Sequence, residues 1–394
     1  MALTTSPTLA PSPSELISAA KWQSTVDYIN RWHYRPDIQS LDIILSAITG
    51  QFDPNSQPIW LFLIGPSGSG KTSLGLTPLI NLPNVHEVST LTPHTWFSGY
   101  IGSKNAGLAA RVGSGIVTFP DFTCILSLRD ESRHEIAGHM RLIFDGHASP
   151  ENGAVTAEPW TGKITVIAAV TPAIEKYWSF TRDMGDRFIN VRWDRLHGPS
   201  VAKASRGQQG NELVIRSTMQ ANMVDFFTSP RINYSHIPEP SESQGNQLDN
   251  MAEITCILRT QVTREANGNR EIRDIPQSEG TGRVGRSLPA MVRYHAILHR
   301  RDYINDSDIN VARRLSIDSI PYTRSKIISA IPPDEGIAAD SLLELIQINP
   351  STLKWNIEEL MALGVVREVT NLVGKCYEMT SSFKEMWKVA FPIA

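Results

Sequence analysis

The tightest constraint in this chain lies at its residues 59–73. A continuous apolar run from Ile59 to Ile64 stops at Gly65, and Pro66-Ser67-Gly68-Ser69-Gly70-Lys71-Thr72-Ser73 follows. Such a run is too short for a buried helix and reads as a strand covered on both faces. The segment Gly65–Thr72 fits G-x-x-x-x-G-K-[ST] between that strand and a helix expected after it, the context that gives the pattern its meaning. Its glycines let backbone N–H groups turn inward around phosphate oxygens, and the start of a helix adds partial positive charge.

Similar apolar runs recur at Val85–Ser89, Gly115–Phe119, Ile164–Val170 and Phe188–Trp193, with helix-like segments between them. Buried strands alternating with helices predict a parallel, doubly wound α/β domain over residues 36–198. Residues 1–35 precede it. Met1–Glu15, rich in Ser, Thr and Pro, reads as a disordered leader, and Trp22–Trp32 as a helix. Asp37–Thr49 gathers Ile38, Leu41, Ile44, Leu45 and Ile48 on one helical face.

Residues 199–319 read as helical with a hairpin insertion. Ser229–Leu248 is expected to be a loop. Leu258–Ile275 is expected to form a hairpin around Asn267-Gly268, with Arg259, Arg264, Arg270 and Arg273 salt-bridged among Glu265, Glu271 and Asp274. Helices are expected at Ser287–His299 and Asp306–Asp318. Residues 320–394 form a further unit with helices at Lys326–Ala330, Asp340–Gln347 and Ser351–Leu363, then strands at Val366–Val369 and Cys376–Met379. That is the order of a winged helix-turn-helix. Leu353, Ile357 and Leu360 share the inner face of its third helix. Lys354, Trp355, Arg367 and Lys375 are the expected DNA contacts. Glu358, Glu359 and Glu368 reduce the positive potential there, and such units also dock proteins.

Composition limits the partners. The formal net charge is -3, so the whole chain has no footprint for nucleic acid and any such site is a local patch. The 3 cysteines, Cys124, Cys256 and Cys376, lack metal-ligand spacing and read as reduced thiols. No apolar run approaches the ~18 residues of a membrane span, and the N-terminus has no signal-peptide layout. A cytoplasmic protein without membrane association is expected.

In the phosphate loop, Lys71 is placed to reach β- and γ-phosphates and Thr72 to put a hydroxyl on Mg²⁺. The expected ligands are ATP and Mg²⁺, bound by Gly65 to Ser73. A second acid is needed on a neighbouring strand, either as metal ligand or to polarise the attacking water. Asp121, just past Gly115–Phe119, is the candidate for one role or the other; Asp130 and Glu131 are in reserve and read as solvated charge at a helix start.

The order of these segments resembles AAA+ ATPases, within them the branch with a hairpin before sensor 1. It is similar to the ATPase domain of minichromosome maintenance (MCM) helicases and to MCM-like ATPases of phages and mobile elements. Phe119-Pro120-Asp121-Phe122 lies where that family has Walker B acids followed by Phe. Matched so, Asp121 takes the catalytic-acid place and Pro120 replaces the metal-side acid. Ala148–Thr161 fits the pre-sensor hairpin after a helix at Arg129–Phe144. Ile164–Pro172 fits the sensor 1 strand, with Thr171 where the family usually has Asn. Gly185-Asp186-Arg187-Phe188 resembles the arginine-finger box, and Arg286-Ser287-Leu288 the sensor 2 helix, continued by Asp306–Asp308 and Arg313-Arg314.

The resemblance implies an oligomeric ATPase, a ring or helical homo-oligomer, in which Arg187 serves a neighbouring subunit and Arg286 the nucleotide. It implies a DNA-directed motor or remodeller for replication or maintenance of a mobile element. The alternative is a nucleotide-controlled assembly switch, such as a helicase loader, transposition regulator or defence component, binding a protein partner through the winged unit. A third reading is a transcription regulator in which ATP gates DNA binding.

Overall fold

The structure, a computed structural model, describes residues 11–97, 107–149, 151–152, 155–156, 159–177, 180–181, 184–185, 187–193, 198–265, 271–275, 277–371 and 374–392. Its centre is a 5-stranded sheet. The strands are β1 (Trp60–Ile64), β2 (Val85–Glu87), β3 (Gly115–Phe119), β4 (Ile164–Val170) and β5 (Phe188–Arg192). They lie in the order β2-β3-β4-β1-β5, and every neighbouring pair is parallel. The mixed α/β class and the parallel sheet expected from the sequence are both present.

The apolar run of β1 is explained by its two covered faces. Leu61 and Leu63 belong to one core and Trp60, Phe62 and Ile64 to the other, as alternation along a strand requires. The first core takes up Ile38–Gln51, Glu212–Thr228, Glu242–Arg259, Val284–Leu298 and Asp306–Asp318. The second is closed by Asp130–Asp145, through Ile136, Ala137, Met140 and Ile143. In the second core Phe62 stacks on Phe188 with ring centroids 3.7 Å apart.

Between Asp130–Asp145 and β4 the chain folds as the expected hairpin. His147–Ala148 pairs antiparallel with Trp160–Thr161, and Glu151–Asn152 with Val155–Thr156. A second small hairpin pairs Thr263–Arg264 with Ile272–Asp274; the turn expected at Asn267-Gly268, and Arg270, lie outside the described residues.

Two expectations are corrected. The N-terminal helix runs Pro13–Trp32 rather than from Trp22, because Ser12 caps it by accepting from the Glu15 N–H at 3.2 Å and Pro13 stands in its first turn. The helix Glu242–Arg259 begins inside the segment expected to be a loop. There Ser241 and Gln244 form a reciprocal capping box, each side chain accepting from the other's backbone N–H.

The C-terminal unit comprises helices Tyr322–Ala330, Ala339–Ile346, Pro350–Ala362 and Ser381–Ala390. Its 3-stranded antiparallel sheet has Gly374–Met379 between Ile337–Ala338 and Val366–Asn371. Leu353, Ile357 and Leu360 are buried as expected. Phe383 and Trp387 of the last helix join the same core as the helices on the sheet. Among the described residues no helix is long and apolar enough to cross a membrane.

Candidate functional site

All five strands are parallel, so their carboxyl ends share one edge, where ligands bind in open α/β sheets. The Gly65 N–H donates to Val170 O at 3.1 Å, joining the start of the glycine-rich loop to the end of β4. Thr171 is the next residue. Asp121 stands just beyond β3, the strand on the other side of β4. The sheet order therefore brings Gly65–Ser73, Thr171 and Asp121 to one edge.

The loop uses its glycines in two ways. Gly68 and Gly70 have φ of 75° and 94°, the left-handed region that a side chain disfavours. Gly65 is needed for close approach: a Cβ there would lie 2.6 Å from Trp193 O. Trp193 follows β5 and donates its backbone N–H to Ile64 O at 2.7 Å. Its buried indole also packs on Gly75, where a Cβ would lie 3.1 Å from the ring. Trp193 is the wall of the loop, a role that sequence patterns did not single out.

The helix expected after the loop is cut short. Lys71–Leu76 is a single wide turn, in which the Thr77 N–H reaches Thr72 O, and a 3₁₀ turn Thr77–Leu79 follows. Pro78 has no N–H to continue the ladder, and Gly75 yields its side-chain space to Trp193.

Lys71 is buried and folded onto its own loop. Its Nζ donates to Gly65 O, to Pro66 O at 2.8 Å and to Ser69 Oγ at 3.4 Å. Burial pushes its pKa below the ordinary lysine value, and the Asp121 carboxylate pulls it back up. Thr72 and Ser73 are exposed at the rim. Asp121, also exposed, accepts from the Thr123 N–H at 2.9 Å and so caps the turn Phe122–Ser127, while buried Phe122 anchors it. Thr123 Oγ1 accepts from the Thr171 N–H at 3.0 Å, tying the two loops together. Asp130 pairs with Arg133 in the first turn of Asp130–Asp145, and Glu131 is exposed beside it.

A groove of about 590 Å³ opens beside the loop, lined by Ser69, Gly70, Ser73, Trp193, Arg314 and Asp318 among others. Arg314 holds Asp37 at 2.6 Å and Asp318 at 3.3 Å. Burial pushes Asp318 up to about 6, against the pull of Arg314 and Arg192. The volume falls within the range of about 300–1,000 Å³ common for small-molecule sites.

Arg187 stands elsewhere. It precedes β5, at the amino edge of the sheet, and β5 pairs in register with β1 from Trp60↔Phe188 to Ile64↔Arg192. At ~3.3 Å per residue, the strand separates Arg187 from the glycine-rich loop of its own chain by roughly 16 Å. Its guanidinium grips both oxygens of Asp145 at 2.9 Å and donates to Met184 O at 2.7 Å. It also lies over the Phe144 ring, with 6% of the side chain exposed. Asp186 lies outside the described residues.

Arg286 is not among the residues that line the groove beside the loop. Arg283, one turn before it, donates to Gly185 O. The start of Val284–Leu298 is therefore on the amino-edge side with Arg187, and Arg286 is exposed there.

In the C-terminal unit the expected DNA contacts are matched with carboxylates. Lys354 lies 3.9 Å from Glu358, Arg367 2.9 Å from Glu378, and Lys375 2.6 Å from Glu368. The Trp355 carbonyl accepts from Arg264 at 2.7 Å, and the same arginine holds Glu358 and Glu359, each at 3.0 Å. Arg324 also holds Glu359, at 2.7 Å. The helix Pro350–Ala362 is thereby bound to the small hairpin at 263–274.

No family model matches the chain, and no curated protein matches it. Among solved structures the chain is similar to a full-length MCM homolog from Methanopyrus kandleri, at 14% identity and a TM-score of 0.46. The likeness covers 80% of this chain, which spans 63% of the length of that one.

Proposed function

We propose that the chain is an oligomeric AAA+ ATPase that binds Mg²⁺-ATP at Gly65–Ser73 and hydrolyses it. The observation that carries this reading is the shared edge: a glycine-built cradle with Lys71 at its centre, and Asp121 and Thr171 on the two adjoining strand ends. The residues fit the ligands. Two left-handed glycines leave the loop's N–H groups free to turn inward, Lys71 is held among carbonyls that a phosphate would replace, and Thr72 offers a hydroxyl at the rim. Mg²⁺, with Thr72 and Asp121 as its protein ligands, would neutralise charge on the phosphate oxygens. Asp121 and Thr171 orient a water toward the γ-phosphorus; ADP leaves and phosphate is released.

Arg187 completes the site in a neighbouring subunit, exchanging the oxygens of Asp145 for those of phosphate, both of which suit a bidentate guanidinium. Arg286 belongs to the same edge. The units at residues 199–319 and 320–394 are read as lid and winged helix-turn-helix, and hydrolysis as shifting the lid against the core.

The work done is read as that of a DNA-directed motor or remodeller. A second reading, the nucleotide-controlled assembly switch with a protein partner, is favoured by the carboxylates paired with Lys354, Arg367 and Lys375. Steady-state ATPase assays with and without single- and double-stranded DNA, over a range of chain concentrations, separate the two. DNA stimulation that rises with chain concentration assigns the motor. Slow turnover indifferent to DNA rejects the motor in favour of the switch.

A further inference from the structure

On the side of the molecule where Ile38–Gln51 crosses Val284–Leu298, three donors converge outside the groove beside the glycine-rich loop. His295 and His299 are spaced i, i+4, so both rings leave one face of the chain. Their Nε2 atoms each meet one oxygen of Asp42, at 3.0 and 2.9 Å. The three donor atoms lie within 4.8 Å of one another. Side-chain exposures of 14% for Asp42, 5% for His295 and 15% for His299 put them just beneath the surface. They line a groove that opens past Gln39, Ser307 and Asn310.

The surroundings of His295 are equally specific. Its Nδ1 meets Asp308, a fully buried carboxylate. Asp308 is in turn fixed by two nitrogens of Arg301, the second at 2.7 Å, and by the Asn305 N–H at 2.7 Å. A carboxylate on Nδ1 sets the tautomer and turns the Nε2 lone pair outward, the usual outer shell of a metal-bound histidine.

We propose that Asp42, His295 and His299 bind a divalent transition-metal cation, with Zn²⁺ the best fit. Two imidazoles and one carboxylate are a zinc donor set, and the groove leaves the fourth position to water. Tetrahedral zinc with bonds of ~2.0 Å needs donors roughly 3.3 Å apart, within reach of small ring rotations from the present spacing. Mg²⁺ and Ca²⁺ favour oxygen shells, which two nitrogens out of three donors do not supply. The cation would join the core helix to a helix of the lid segment, so binding stabilises their docking.

The test uses the full chain, stripped with a chelator and titrated with Co²⁺ and then Zn²⁺. One Co²⁺ per chain is expected, with the intense visible absorption of a tetrahedral ion, displaced by Zn²⁺ and accompanied by a higher melting temperature. His299→Ala and Asp42→Asn should weaken binding at least 100-fold, while His86→Ala and His236→Ala, both exposed elsewhere, leave it unchanged. His299→Cys preserves a ligand and should show a sulfur-to-cobalt charge-transfer band, a readout that does not depend on the Ala variant folding. The absence of uptake at millimolar cation overturns the proposal. So does uptake that is unaltered in the folded His299→Ala chain, or a His299→Cys complex without sulfur ligation.

Discussion

Arg187 holds both carboxylate oxygens of Asp145 at 2.9 Å, at the opposite end of the sheet from the phosphate loop of the same chain. On the function proposed above, this arginine serves a neighbouring subunit and has to leave Asp145 to do so, which makes the pair the resting state of a shared site.

This relationship predicts complementation. Arg187→Ala should lower ATP turnover by roughly 10³-fold, the scale of an arginine finger supplied in trans, with nucleotide affinity little changed. Asp145→Asn should keep turnover. Mixing Arg187→Ala chains with Lys71→Ala chains should restore phosphate release, because one variant keeps the cradle and the other the arginine. Mixtures no more active than their parts would remove the shared site.

Gly65 and Trp193 define a second prediction. A Cβ at Gly65 would meet a backbone oxygen at 2.6 Å, an atom that cannot swing away. Gly65→Ala should destabilise the chain by about 1–3 kcal/mol, as overpacking does, and weaken nucleotide binding more than Gly68→Ala. Urea midpoints and a fluorescent-nucleotide titration measure both effects.

Lys163 gives a pH dependence. Its Nζ donates to Gly50 O and Asp53 O at 2.7 Å and to Ser56 Oγ at 2.6 Å. Burial pushes its pKa down to about 8, and Asp53 only partly restores it. The unfolded lysine, titrating near ~10.4, binds more protons than the folded one between the two values. Stability contributed at this position therefore rises with pH over that window. The urea midpoint of the parent chain should gain on that of Lys163→Met between pH 7.5 and pH 10; a constant difference would contradict the assignment.

The C-terminal unit supplies a fourth prediction, one that separates the two readings of the work done. Arg367 and Lys375 are paired within the unit. On the assembly-switch reading, Arg367→Ala and Lys375→Ala change duplex DNA affinity less than threefold. On the motor reading, removing either cation from a DNA phosphate lowers the salt slope by about 1. Binding isotherms at several salt concentrations give the slope directly.

The parts of the fold legible in sequence are those written in local patterns. Apolar runs mark the strands of the sheet, and the loop from Gly65 to Thr72 carries its own chemistry in its spacing. The helix starts at Ser12 and Ser241 are also written, as Ser12-Pro13-Ser14-Glu15 and Ser241-Glu242-Ser243-Gln244. The Ser and Pro content around them, which resembles loop, masks both. Gly75 and Pro78 likewise announce a short turn after the loop.

What sequence could not show is contact between distant residues. Trp193 walls the cradle only because β5 lies beside β1. Asp145 reaches Arg187 from the far end of another helix. Asp42 and His295 are separated by 253 positions. Arg286 sits in a helix with the expected pattern, but Arg283 just before that helix is docked on Gly185 and Arg286 does not line the groove beside the loop.

If Lys71 and Asp121 serve one phosphate-transfer site, the measurement that decides it is Mg²⁺-dependent phosphate release from ATP by the full chain, compared with Lys71→Ala and Asp121→Asn at a concentration where subunits associate. Release should stop with chelator and fall on the order of 10²-fold or more in each variant, the scale for loss of a transition-state donor. Release that persists in Lys71→Ala, or no release from the parent chain, would contradict it.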